Sequence, residues 1–148
     1  MQLGLTPEVY NTLALVIMIV ETIVVVAMMI GWLYGSRRMA IKLHHRVVYP
    51  AILIHAITVG AWMIPIAFDR LPIMLANPIE NWYQISHDIL GITAITLGLI
   101  MGLMFGPRKE MPIKLLKKTR PVMLLTVALW VTAFVLGLYW YFLGHVWV

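Results

Sequence analysis

Four apolar runs, at about residues 9–34, 47–68, 82–105 and 121–143, occupy most of this 148-residue chain. A helix needs about 20 mostly apolar residues to cross a bilayer, and each run meets that length. In lipid every backbone N–H and C=O must find an internal partner, which helices provide within themselves. The sequence therefore predicts an all-α, polytopic integral membrane protein: one domain over residues 1–148, a four-transmembrane-helix antiparallel bundle. Hydrophobic residues make up 62% of the chain and charged ones 11%. A soluble domain carries about a quarter charged residues, so a water-soluble fold is excluded. The first run lacks a basic leader and follows Thr6-Pro7-Glu8, an N-cap pattern with proline at the first helical position. It reads as a retained span, not as a cleaved signal peptide.

The net charge of +5 looks at first like a nucleic-acid signal. Placement decides otherwise. Arg37, Arg38, Lys42 and Arg46 lie between the first two spans, and Arg108, Lys109, Lys114, Lys117, Lys118 and Arg120 between the last two. Of the 11 basic residues only Arg70 lies elsewhere. Both basic loops fall on one side, so the positive-inside rule predicts cytoplasmic loops in the cell membrane and both termini outside. The charge is a topology signal with affinity for anionic lipid, and no nucleic-acid partner is expected. The chain has no cysteine, which removes disulfides, thiolate nucleophiles, iron–sulfur clusters and thiolate zinc sites.

In the connection 69–81, Pro72 and Pro78 are expected to break helix, with Leu71, Ile73, Met74, Leu75 and Ile79 lying at the interface. Within the third span His87, Gly91, Ala94, Gly98 and Gly102 form a small-residue stripe, suited to close approach by a helix or a flat ligand. The second span carries an equivalent stripe of Ala51, His55, Thr58 and Trp62. Pro50 and Pro65 are candidate kinks in it. His44-His45-Arg46 opens that span as a solvated interfacial cluster, or as a contact for a cofactor carboxylate or a partner subunit.

Depth follows from a rise of about 1.5 Å per residue: Glu21 and His55 both fall roughly 18 Å from the outer surface, and His87 roughly 8–12 Å. An ionisable group at the bilayer centre costs about 2.5 kcal/mol or more, so Glu21 should face a partner. A Glu21 and His55 couple can serve as a proton relay or as half of a metal site. His55 and His87 on adjacent inward faces can act as axial ligands of a b-type haem, with Gly91 and Gly98 leaving room for the porphyrin. Gly102 is expected to add to that room, and in that arrangement the second imidazole nitrogen donates to Thr58, Ser86 or a carbonyl. With Glu21, the same pair forms a two-histidine, one-carboxylate set for copper or another metal. The bland alternative is hydrogen-bonded structural histidines and no cofactor. No catalytic nucleophile arrangement or phosphate loop is present, and the scattered methionines read as core filling.

The landmarks Gly31-Trp32, Gly35, Arg37, His45-Arg46, His87 with Gly91 and Gly98, and Arg120 before Trp130 and Gly137 resemble those of a family of small four-helix membrane proteins. That family includes a bacterial factor required to assemble a haem–copper cytochrome oxidase. The similarity covers roughly residues 30–143. Family members tend to carry a histidine just before the arginine that opens the fourth span, where this chain has Thr119, and Glu21, His55 and His145 stand outside the pattern. The resemblance implies a non-catalytic subunit or assembly factor of a respiratory or copper-containing oxidase complex, partnered by larger membrane subunits. Two rivals are a structural accessory subunit of an oxidase or monooxygenase without cofactor, and a minimal proton- or ion-conducting module.

Overall fold

The computed structural model describes residues 6–37, 40–105 and 113–146, with side chains for all of these except 7, 36–37, 113–116 and 143–146. Arg38, Arg108 and Lys109, and the side chains of Arg37, Lys114 and His145, lie outside the described residues.

Among the described residues five α-helices make the fold: α1 (Pro7–Arg37), α2 (Ile41–Thr58), α3 (Ile64–Ala76), α4 (Trp82–Phe105) and α5 (Ile113–Val146). A wide π turn, Val59–Met63, joins α2 to α3 without a break, so the second span runs from Ile41 to Ala76. The four spanning units are long and apolar enough to cross a bilayer. Their outward faces carry Ile23, Leu53, Ile57, Leu103 and Val135, all more than half exposed, as helices solvated by lipid would.

Local chemistry explains the helix ends and one correction. The Thr6 hydroxyl accepts from the Val9 amide at 3.4 Å, the N-cap expected from Thr6-Pro7-Glu8. Pro72, expected to end the second helix, lies inside α3 instead. The irregularity appears earlier, in the π turn immediately before Pro65, which has no N–H to give and crowds the preceding turn. There the Ile64 amide reaches back five residues to the Val59 carbonyl. Pro50 and Pro121 are likewise accommodated within α2 and α5, so the helix of the fourth span, α5, begins at Ile113, before Pro121.

α1 packs chiefly on α2 and α4 on α5, with α1–α5 and α2–α4 contacts joining the pairs. Contacts between α1 and the second span run in opposite senses, from Gly31 with His44, through Glu21 with His55, to Tyr10 with Arg70. Val24, Met28, Val48, Ala51, Ile52, Ala94, Ile95 and Trp130 form the buried centre. This apolar layer is the floor of two cavities that open toward opposite ends. Lys117 and Arg120 line one of them together with His44 and His45, and Arg70 lines the other.

Candidate functional site

Glu21 on α1 is 6% exposed and His55 on α2 is 5% exposed, and they meet across the first helix pair. The His55 Nδ1–H donates to Glu21 Oε2 at 2.6 Å. Two residues reckoned level from helix rise alone thus touch. The Thr58 hydroxyl donates to the other carboxyl oxygen, Oε1, and also lies 2.9 Å from the His55 carbonyl. Thr58 therefore serves the carboxylate, whereas the sequence placed it beside the imidazole. Among the described residues His55 is the ionisable group in contact with Glu21.

With Nδ1 committed, Nε2 is the remaining ring nitrogen of His55, a lone-pair donor in the neutral imidazole, and that atom is buried with no hydrogen-bond partner. The Trp130 ring lies tilted against the imidazole, 4.2 Å between centroids, and its Nε1 is likewise buried and unpartnered. An orphaned polar atom in lipid-buried protein is unfavourable by about 1–3 kcal/mol, so two side by side mark a place where a ligand is missing or a cost is tolerated.

His87 on α4 is fixed by the same device. Its Nδ1–H donates to the Ala133 carbonyl at 2.7 Å, and its ring lies against Gly137, where an added Cβ would come within 2.8 Å of it. The glycine is required for that approach. His87 and His55 line one cavity of about 180 Å³, and both have Nδ1 occupied and Nε2 left over. The ring-orienting acceptors are a carboxylate and a carbonyl, the two partners metal-binding histidines commonly use.

Several expectations are corrected here. Glu21 is spent on His55 Nδ1 and Thr58, and among the described residues no three His, Asp or Glu side chains cluster so as to hold a metal ion. The two-histidine, one-carboxylate set is therefore not assembled, and Glu21 stands behind His55. Gly91 does line the cavity, with open space where a Cβ would be. Gly98 does not. It lies against Trp130 and Ile52 and opens into the other cavity, so it gives no room to a group between His55 and His87. His44, expected to be solvated, donates Nδ1–H to the Gly31 carbonyl at 2.7 Å and packs on Gly35, while His45 stacks on Tyr49 at 4.9 Å.

The mouth of the cavity at the Arg70 end was not foreseen. Arg70 donates to the Tyr10 hydroxyl at 3.0 Å and lies over the Trp140 ring, 4.6 Å from its centroid. Gln84, 8% exposed, accepts from Trp140 Nε1 at 2.7 Å and from Arg70 at 3.2 Å when its amide oxygen faces them. Asp88 also lines this cavity. The available signal was the isolation of Arg70 as the one basic residue apart from the two basic loops.

No family model, curated protein or solved structure matches this chain.

Proposed function

We propose that this protein is a small multi-pass membrane subunit or assembly factor of an oxidase-type complex, and that it holds a metal centre in the cavity between His55 and His87. The observation that carries the reading is the pair of imidazoles in one cavity, each pinned through Nδ1, with the Nε2 of His55 buried and unpartnered. Glu21 contributes as the carboxylate behind His55. Its hydrogen bond to Nδ1 fixes the ring orientation and leaves Nε2 as the atom turned to a guest.

The dimensions favour an ion. A cavity of about 180 Å³ accepts a metal and its ligands, whereas sites for larger ligands run to about 300–1,000 Å³. The thioethers of Met18 and Met63 lie in the same wall, and imidazole with thioether is a donor set suited to copper. A b-type haem between the same histidines requires the helices to part. The apolar layer of Met28, Ile52, Ile95 and Trp130 beneath the cavity argues against continuous proton or ion conduction. Partnership with larger oxidase subunits rests on the resemblance carried by Gly31-Trp32, His45-Arg46, His87 and Arg120. The basic loops orient the protein with both termini outside the cell membrane.

The test is metal binding by the purified full-length protein, with Cu(I) and haem titrated separately and read by metal analysis and absorption. We expect one copper per chain, lost in both His55→Ala and His87→Ala while helical content is kept. Failure of both groups to bind stoichiometrically, or binding that survives both substitutions, would leave the structural accessory subunit as the reading to adopt.

A further inference from the structure

The cavity at the basic end, about 260 Å³ between α1, α2, α4 and α5, is built from opposite chemistry. Its heights can be reckoned from the level where Glu21, His55 and Trp130 meet, at about 1.5 Å per residue. Lys117 and Arg120, both exposed, lie roughly 15–20 Å toward the basic end. Trp32, at roughly 16 Å, is level with Arg120, Tyr49 and Gly102 lie at roughly 9–10 Å, and below them Ile52 and Gly98 make an apolar floor. The Trp32 indole N–H and the Tyr49 hydroxyl are both buried without a hydrogen-bond partner. A cationic rim with one unsatisfied donor at its level, a second donor deeper and then an apolar floor thus follow one another inward.

A phospholipid carries its groups in the same order: a phosphate, ester carbonyls a few ångströms deeper, then acyl chains. We propose that this cavity seats the head and glycerol ester region of one anionic diacyl phospholipid, with the bulk of its chains in the surrounding bilayer: its phosphate on Lys117 and Arg120 beside Trp32, an ester carbonyl accepting from Tyr49, and the start of an acyl chain over Gly98 and Gly102. Basic pockets between membrane helices on the positively charged side recognise anionic headgroups on this principle. A neutral carbonyl-bearing head would use the two donors but leave both cations facing nothing. A bare anion would leave the floor empty. Added side-chain carbon at Gly102 meets no atom within 4 Å, so there is room for the start of a chain.

The test is lipid retention by the intact protein in zwitterionic detergent, followed by native mass spectrometry with phosphatidylglycerol, phosphatidylcholine, oleate and inorganic phosphate as separate probes. We expect one phosphatidylglycerol per chain and release of phosphatidylcholine. Replacing both Lys117→Gln and Arg120→Gln should weaken retention about 25-fold, from about fivefold per cation near the surface. Trp32→Phe and Tyr49→Phe should each weaken it about fivefold, the usual worth of one hydrogen bond. Because Lys117 and Arg120 are exposed, their variants keep the test valid if a buried replacement fails to fold. Equal retention of phosphatidylglycerol and phosphatidylcholine overturns the proposal. So does oleate binding as tightly, phosphate displacing the lipid at matched concentration, or indifference to all four substitutions.

Discussion

The two cavities share a floor but offer opposite chemistry. Toward the Arg70 end both histidine Nδ1–H groups are given away, to Glu21 and to the Ala133 carbonyl, and what remains is imidazole nitrogen with one unpaired indole N–H, that of Trp130, beside it. Toward the basic end the surplus is hydrogen, on Trp32 and Tyr49, with cationic Lys117 and Arg120 at the rim. A site that offers imidazole nitrogen invites an electron-poor guest, and a site rich in donors invites an anion or a carbonyl. One small fold holds both because the layer of Val24, Met28, Ala51, Ile52, Ala94 and Trp130 keeps them apart. The same bolt recurs at each end, an imidazole donating to a carbonyl and lying on the glycine four residues later: His44 on Gly31 and Gly35, His87 on Ala133 and Gly137.

The sharpest way to break the comparison is at Glu21. The carboxylate-rich side is held together by a buried pair, so Glu21→Leu, which strands the His55 and Thr58 donors, should destabilise the protein by about 3 kcal/mol. Thermal unfolding in detergent measures this. Glu21→Gln, which keeps an acceptor, should lose less than half as much. Lys117→Gln, at the exposed rim of the other cavity, should change stability by less than about 0.5 kcal/mol. Equal losses for Glu21→Leu and Lys117→Gln would mean that the buried pair contributes nothing particular.

That pair was also the most legible part of the site. Its two members lie in apolar runs long enough to fix their depth by counting, and a carboxylate in lipid must have a partner, so Glu21 and His55 could be matched across two helices. Four spans and the ends of α4 were legible for the same reason, since apolar length is local information. What connects through other helices was not. Nothing in the order of residues says that Gly98 turns to the second cavity while Gly91 faces the first, because α4 rotates its stripe past both. Pro72 misled because a proline in an apolar helix can be absorbed within it, as Pro50 and Pro121 are in α2 and α5. The Arg70, Gln84 and Trp140 cluster joins three helices, and only the isolation of Arg70 hinted at it.

The paired imidazole bolts give the next test. An added methyl at Gly137 would lie 2.8 Å from the His87 ring, and one at Gly35 would lie 2.8 Å from the His44 ring. Each Gly→Ala change should therefore destabilise by about 2 kcal/mol through overpacking. Their ligand readouts should diverge. Gly137→Ala should lower copper binding and spare phosphatidylglycerol retention, and Gly35→Ala should do the reverse. A loss of both ligands in either variant would show that the two ends are mechanically one.

Arg70 sharpens the comparison from the mouth of the first cavity. Arg70→Gln removes the donor to Tyr10 and the cation over Trp140, a loss of about 1 kcal/mol at a partly exposed site. Amide exchange should quicken in α3, which this side chain ties to α1 and α5, and stay unchanged in the first turns of α2. Uniform quickening along the chain would mean that the cluster supports the whole bundle and not only that mouth.

The smallest effects on stability are expected where the comparison is cleanest. Gly91 and Gly102 lie on one helix, and a Cβ at either meets nothing within 4 Å. Gly91 faces the histidine cavity and Gly102 the donor-lined one. Alanine at either position restricts the unfolded chain and suits a helix, so stability should stay level or rise by about 0.5 kcal/mol. Since neither methyl disturbs packing, any change in ligand binding reports on space inside the cavity alone. Gly91→Ala should reduce copper or haem uptake and leave phosphatidylglycerol untouched, and Gly102→Ala should do the opposite. If both variants leave both ligands bound at full strength, neither guest extends to α4, and the cavities are closed by their occupants nearer α1 and α2.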